Sequence, residues 1–325
     1  MEHYVTLFDS LFLPQGLALQ MSMERYAGEY TLWILCVDDQ AYEVLIRLRL
    51  PNTRLLQLSK LETAELKRVK LDRTRGEYCW TVTPYSLRFV FEADISVQRV
   101  TYLDADMWFR KSPWPIFREF VASGKQVLIT DHAYAPEYDR SAASGQYCVQ
   151  FMIFTRDGGE IVRKWWEDRC TEWCYHRYED NKFGDQKYLD DWPERFADHV
   201  HVLQKKEWLL APWNAIRFPY SDSITWHFHG TQTVIKSNKL SGILCGNYQL
   251  PIPTRTFVYK VYLRDLRSGV KLIADLGVEI RSQSTFDRLK RLLVLIRPWK
   301  KITLPFFIHS SSTAEKLDTT AARRE

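Results

Sequence analysis

Residues 31–37 read Thr-Leu-Trp-Ile-Leu-Cys-Val, an uncharged run that stops on Asp38 and Asp39. A strand that is apolar on both faces must be covered on both faces, which is the condition of a strand inside a largely parallel sheet. The pattern recurs along the chain. Residues 4–9 read as a short strand ending in Asp9, residues 55–58 as another, Val97 to Leu103 as one ending in Asp104, Gln126 to Thr130 as one ending in Asp131, and Phe151 to Phe154 as a further one. Helical spacing fills the intervals at Leu13 to Tyr26, from Gln40 onward, over residues 80–92 and over Ile116 to Ser123. A long tryptophan-rich helix is expected from Asp157 to about Tyr178. Strands alternating with helices predict an α/β fold with a mostly parallel sheet.

A chain of 325 residues that is 46% hydrophobic can bury one sizeable core or two small ones. A net charge of +5 is too mild for a nucleic-acid binder, so no nucleic-acid partner is expected. No apolar run approaches the ~18 residues of a membrane span, and the N-terminus lacks the pattern of a signal peptide. Cys36, Cys79, Cys148, Cys170, Cys174 and Cys245 are scattered. Cys170, Cys174 and His176 lie close together, but zinc would need a further ligand pair that the sequence does not offer. Reduced thiols in a cytoplasmic protein are the expectation.

The acids are the chemistry. In sheets of this kind, ligands bind at the carboxyl ends of strands, and Asp9, Asp38, Asp39, Asp104, Asp106 and Asp131 all fall at such ends. The sharpest arrangement is Tyr102-Leu103-Asp104-Ala105-Asp106. Carboxylates at alternate positions of an extended chain point the same way. Two hard oxygen ligands suit Mg²⁺ or Mn²⁺ and leave positions open for a diphosphate. A haloacid-dehalogenase-type phosphatase also uses an Asp-x-Asp after an apolar strand. It expects the motif near the N-terminus, whereas here it lies about a hundred residues in and is followed by Trp108 and Phe109. A non-catalytic, membrane-associated sugar-nucleotide-binding protein is the other alternative.

Tyr-Leu-Asp-Ala-Asp in this setting resembles the metal motif of the GT-A glycosyltransferases, and is most similar to the family 8-like group of glycogenin and the lipopolysaccharide galactosyltransferases. The resemblance spans roughly residues 4–240. It implies a Rossmann-like mixed, mostly parallel sheet flanked by helices. It also implies Mn²⁺ or Mg²⁺, a nucleoside diphosphate sugar as donor, a glycan or lipid-linked acceptor, and transfer with retention. In Trp226-His227-Phe228-His229-Gly230 the family's metal-binding histidine corresponds to His227, with His229 the alternative ligand. Lys236 stands in for the lysine that meets the diphosphate, displaced by a few residues. Asp185-Gln186 resembles a segment near the sugar, and Ala211-Pro212-Trp213-Asn214 a stretch that follows it. Asp9 is implied at the base and Arg88 near the donor phosphates and sugar. The chain departs from the family where an Asn-Ala-Gly-like turn is replaced by Tyr147-Cys148-Val149-Gln150, with Gln150 able to bond a sugar hydroxyl. If transfer were inverting, Asp131 or Asp185 would serve as base.

The end of the chain changes character. Ser284 to Lys301 reads as an amphipathic helix capped by Ser284 and ended by Pro298, with Phe286, Leu289, Leu293 and Ile296 on one face. Arg288, Lys290, Arg291, Arg297, Lys300 and Lys301 supply positive charge beside it, followed by Leu304-Pro305-Phe306-Phe307-Ile308. That composition suits an anionic membrane surface on the cytoplasmic face. The expected division is a catalytic domain over residues 1–270, with a nucleotide-sugar part to about 135 and an acceptor part from about 136. A membrane-associating segment over 271–309 and a disordered tail over 310–325 follow.

Overall fold

Every residue of the strand Tyr30–Cys36 is buried, so it has to lie between neighbours and under cover on both faces. The computed structural model, which describes residues 1–283 and 307–309, puts it there. In chain order the first strands are β1 (Glu2–Phe8), β2 (Tyr30–Cys36), β3 (Thr53–Gln57), β4 (Arg99–Leu103), β5 (Met107–Phe109), β6 (Val127–Asp131), β7 (Tyr147–Thr155) and β8 (Val200–Val202). All but β5 join one sheet in the order β3-β2-β1-β4-β7-β6-β8. Its pairs are parallel except those of β7, which runs antiparallel to both β4 and β6. The expected mixed, mostly parallel α/β sheet flanked by helices is therefore present. The direction of β7 is the one feature that an apolar run cannot reveal, because burial on both faces is the same in either direction.

Alternation along the strands divides the core into two layers. Tyr4 and Phe8 of β1, Leu32 and Ile34 of β2, and Phe151 and Ile153 of β7 face one layer. Val5, Leu7, Trp33, Leu35, Met152 and Phe154 face the other. The helices Leu13–Tyr26 and Lys260–Asp275 pack together over the first layer, and Arg75–Ala93 and Glu160–Glu172 over the second. Gly269 is where the first two cross. A Cβ there would lie 3.1 Å from Leu17 Cβ and 3.3 Å from the Pro14 carbonyl oxygen.

Two smaller sheets complete the fold. β5 pairs with β10 (Thr225–His227), which also pairs with β9 (Leu209–Leu210). β11 (Gln232–Lys236), β12 (Lys239–Leu244) and β13 (Phe307–His309) form the other.

Some boundaries differ from the sequence reading. The helix expected from Asp157 to about Tyr178 spans only Glu160–Glu172. At Trp173 the backbone turns extended, with φ −151°, and the following residues fold back through the Glu179–Lys182 bridge. There the guanidinium of Arg73 lies 3.8 Å from the Tyr175 ring, a tertiary contact that overrides helical propensity. The helix expected over 80–92 begins earlier, at Arg75, because Thr74 and Glu77 form a capping box. The boundary expected at residue 270 falls inside the helix Lys260–Asp275, whose Leu263, Leu266, Val270 and Ile273 are core residues. Ser282 and Gln283 still belong to this body: Ser282 Oγ donates to the Thr233 carbonyl at 3.0 Å, and Gln283 Nε2 donates to that of Leu11 at 3.0 Å. The amphipathic helix expected from Ser284, and residues 310–325, lie outside the described residues. Among the described residues, no helix is long and apolar enough to cross a membrane.

Candidate functional site

The Asp pair is presented by a turn that the backbone fixes at several points. Asp104 N–H donates to the Gln150 carbonyl at 3.2 Å, Met107 N–H to that of Asp104 at 3.1 Å, and Phe228 N–H to that of Asp106 at 2.9 Å. The last bond continues the β5–β10 pairing, in which His227 stands opposite Met107. A strand 120 residues downstream thus brings an imidazole to the two carboxylates. His227 Nε2 lies 3.1 Å from Asp106 Oδ1 and 3.6 Å from Asp104 Oδ2. The Tyr102 hydroxyl donates to Asp104 Oδ1 at 3.0 Å.

Among the described residues, Asp104, Asp106 and His227 are the group whose ligand atoms converge, all within 4.8 Å of one another. Two carboxylates and one imidazole with the opposite side open is a donor set suited to a divalent cation that also binds an oxygen ligand. The remaining imidazole nitrogen is already satisfied. Gln150 Oε1 accepts from His227 Nδ1 at 2.9 Å, which leaves Nε2 facing the carboxylates.

The charges press on each other. Burial, reinforced by Asp106, pushes the Asp104 carboxyl up to about 6 against the pull of His227. Burial opposes the charge on Asp106 too, but the His227 charge and hydrogen bond hold it below the usual range. Burial disfavours His227 as a cation, yet Asp106 and Asp104 outweigh this and raise it well above 6.5. With no metal bound, a proton on His227 therefore compensates the acids.

These groups form part of the wall of a cavity of about 660 Å³. Asp9 lies at one part of it, after β1, with its Oδ1 capping Leu11 and Phe12 at 2.8 and 3.2 Å and its other oxygen paired with Arg75. Asp185 faces the cavity with only 3% exposure, and its Oδ2 has no hydrogen-bond partner. Burial, followed by the neighbouring Asp104, pushes its carboxyl up to about 8. Gln186 lines the cavity beside it, its Nε2 donating to the Ser144 carbonyl at 2.8 Å.

The chain is 32% identical over 305 residues to the uncharacterized protein YfnF of Bacillus subtilis (strain 168), a match covering 87% of this chain and 98% of that protein. It belongs to the YfnF family. A second relative, the uncharacterized protein YfnD of the same strain, is 28% identical over 288 residues, covering 82% of this chain and 89% of that protein. No protein-family model matches. Among solved structures the chain is similar to the galactosyltransferase LgtC in complex with donor and acceptor sugar analogues. The identity there is 11%, with a TM-score of 0.49 over 82% of this chain and 95% of that one.

In this YfnF-family chain, Asp9, Asp104, Asp106, Asp185, Gln186, His227 and His229 all line one cavity. The His229 ring centroid is 5.6 Å from that of His227, but His229 stands outside the converging ligand group. Other residues singled out from the sequence are placed elsewhere. Gln150 is fully buried and touches His227 instead of lining the cavity. Asp131 accepts from Lys206 at 2.6 Å, from Ala133 N–H at 2.6 Å and from Gln146 at 3.3 Å, all outside the lining. Arg88 pairs with Glu167 at 3.1 Å, and Lys236 sits on β11; neither lines the cavity. Sequence reasoning passed over Arg75, Trp80, Tyr134, Arg140 and Tyr248, which do. The helical phase of Gly76, Trp80 and Thr83 held the signal for one wall, and Arg75 opens the same helix; Tyr134, Arg140 and Tyr248 sit on loops, where no periodicity exists.

Proposed function

We propose that this protein is a metal-dependent glycosyltransferase of the GT-A type. It moves a sugar from a nucleoside diphosphate sugar to a hydroxyl of a glycan or lipid-linked acceptor, with retention at the anomeric carbon. The observation that carries this reading is the convergence of Asp104, Asp106 and His227 in a cavity that also holds Asp9, Asp185 and Gln186. Its volume of about 660 Å³ suits a nucleotide sugar.

Asp104, Asp106 and His227 would hold Mn²⁺ or Mg²⁺, and the imidazole favours Mn²⁺ of the two. When bound, such an ion neutralises the charge that grows on the departing nucleoside diphosphate. The chain's own groups do the remainder. Asp9 and Arg75 flank the nucleoside. The Asp185 carboxyl, whose buried Oδ2 is without a hydrogen-bond partner and faces the cavity, binds a sugar hydroxyl, with Gln186 fixed beside it by Ser144. In a retaining transfer the departing phosphate oxygen takes the acceptor proton, so no carboxylate base is required.

Nucleoside diphosphate sugars with different bases and sugars, incubated with the protein and Mn²⁺ and followed by NMR, test the reading. Mn²⁺-dependent turnover of a donor, lost in Asp106→Ala, is expected, with an α-linked donor giving an α-linked product. A β-linked product overturns retention. No turnover across the panel favours a binding protein without catalysis.

We also propose that the basic segment from Ser284 holds the enzyme on an anionic membrane surface, at about 1 kcal/mol per basic residue near it. The full chain should float with phosphatidylglycerol vesicles. Replacing Arg288, Lys290, Arg291, Arg297, Lys300 and Lys301 with glutamine should leave it behind; undiminished flotation of that variant would sink the idea.

A further inference from the structure

Strand order lays out the cavity along one edge of the sheet. Asp9 follows β1, Asp104 follows β4 and His132 follows β6, so the ligand triad lies between a part under β1 and a part beyond β7. The far part is built from other residues. His132 and Tyr134 stack with centroids 4.6 Å apart and planes 9° from parallel. Trp213 meets His132 edge-on at 5.1 Å and His229 at 5.1 Å. Trp213 belongs to a small apolar cluster, with Tyr134 packed against it, that is separate from both core layers, and Tyr248 bridges that cluster and the first core layer. Tyr134 and Trp213 stand outside both core layers, and His132, Tyr134, Trp213 and Tyr248 all line the cavity.

The wall is preset by hydrogen bonds. Trp213 Nε1 donates to the His132 carbonyl at 2.8 Å, and Asn214 Nδ2 to the same oxygen at 3.0 Å. Ala135 N–H donates to the Trp213 carbonyl at 2.9 Å, and the Tyr138 hydroxyl accepts from Gln249 N–H at 2.7 Å. Arg140 stands on the same loop, exposed and lining the cavity. The cavity's other arginine, Arg75, is engaged by Asp9 and Asp38. The Arg140 side chain has no hydrogen bond or ion pair among the described residues. A guanidinium beside aromatic rings, with its donors uncommitted, is a receptor for anionic oxygens. Rings that are apolar on their faces and polar at an edge suit a saccharide.

We infer that this far end takes the acceptor, and that the acceptor is an acidic saccharide whose ring rests on the aromatic wall and whose carboxylate or phosphate oxygens bind Arg140. The word acceptor rests on the proposed transferase activity; the acidic-saccharide site does not. Arg140 lies on the β6–β7 loop, beyond the triad as seen from Asp9, and so on the side away from the nucleoside.

The test uses the full chain with Mn²⁺ and a mixture of nucleoside diphosphates filling the donor end. Binding of methyl glucoside, methyl glucuronide and glucose 6-phosphate is measured by saturation-transfer NMR. One or both acidic probes should bind about tenfold more tightly than the neutral one, the size of one charge-assisted interaction. Which of them gains tells a carboxylate from a phosphate. Arg140→Gln should remove that advantage while leaving the neutral probe and the nucleoside diphosphates unchanged. Tyr248→Leu should weaken acidic and neutral probes alike. Equal binding of all three probes to the unaltered protein overturns the inference. So does an Arg140→Gln variant whose main loss is in nucleoside diphosphate affinity, since that puts Arg140 on the donor. If the probes behave as expected but no nucleotide sugar is turned over, the acidic-saccharide site stands and the transferase reading falls.

Discussion

Gln150 Oε1 accepts a hydrogen bond from Nδ1 of His227 at 2.9 Å, in a place sealed from solvent. The contact fixes both the tautomer and the ring plane, so that Nε2 points at Asp106. Removing it in Gln150→Leu should weaken Mn²⁺ binding by about 10- to 100-fold, the usual effect of losing a partner behind a metal ligand. Isothermal titration calorimetry reads this directly. Unchanged Mn²⁺ affinity, with donor KM raised instead, would return Gln150 to the sugar.

Mn²⁺ should stabilise the protein. At a hundredfold excess over Kd, a ligand specific for the folded state adds about 2.7 kcal/mol. Thermal unfolding should show a rise of several degrees that EDTA reverses. Asp106→Ala should show none, because two of the converging ligands are too few to hold the ion at that concentration.

Acid should weaken the metal site. His227 is held protonated by Asp106 and Asp104, and Asp104 itself titrates at about 6. A cation needs the same lone pairs, so it must displace those protons, and its affinity should rise as pH passes about 6, where Asp104 titrates, and go on rising as His227 gives up its proton. Calorimetry in two buffers of different ionisation enthalpy should register proton release on Mn²⁺ binding. A pH-independent affinity with no proton release would contradict the assignment of His227 as a ligand.

Gly269→Val should destabilise the fold without touching the cavity. The new side chain would press on Leu17 and the Pro14 carbonyl, where the helices Leu13–Tyr26 and Lys260–Asp275 cross. A loss of about 1–3 kcal/mol is the expected scale for overpacking, measured by urea unfolding. A loss well below that would mean the two helices separate easily.

The strands were legible because burial on both faces writes an uncharged run into the sequence, as in residues 31–37. The Asp pair was legible because it follows such a run. His227 could be matched only by motif, since nothing local announces that β10 will pair with β5. Asp131 looked like a free carboxylate because Lys206, its partner, lies 75 residues away. Arg88 illustrates how fine the reading must be. The cavity face of its helix runs through Gly76, Trp80 and Thr83 and would continue at position 87, so Arg88 is turned about 100° aside and meets Glu167 instead. Arg140, Tyr134 and Tyr248 were passed over because loops carry no period.

The pairing of β5 with β10 also has a consequence in time. Both aspartates leave the ribosome more than a hundred residues before the imidazole that completes them. A nascent chain that has exposed Asp104 and Asp106 but not His227 holds two acids with no cation to answer them. The Asp104, Asp106 and His227 group therefore assembles late in synthesis, only once β10 has docked, and the proposed metal site cannot form before then.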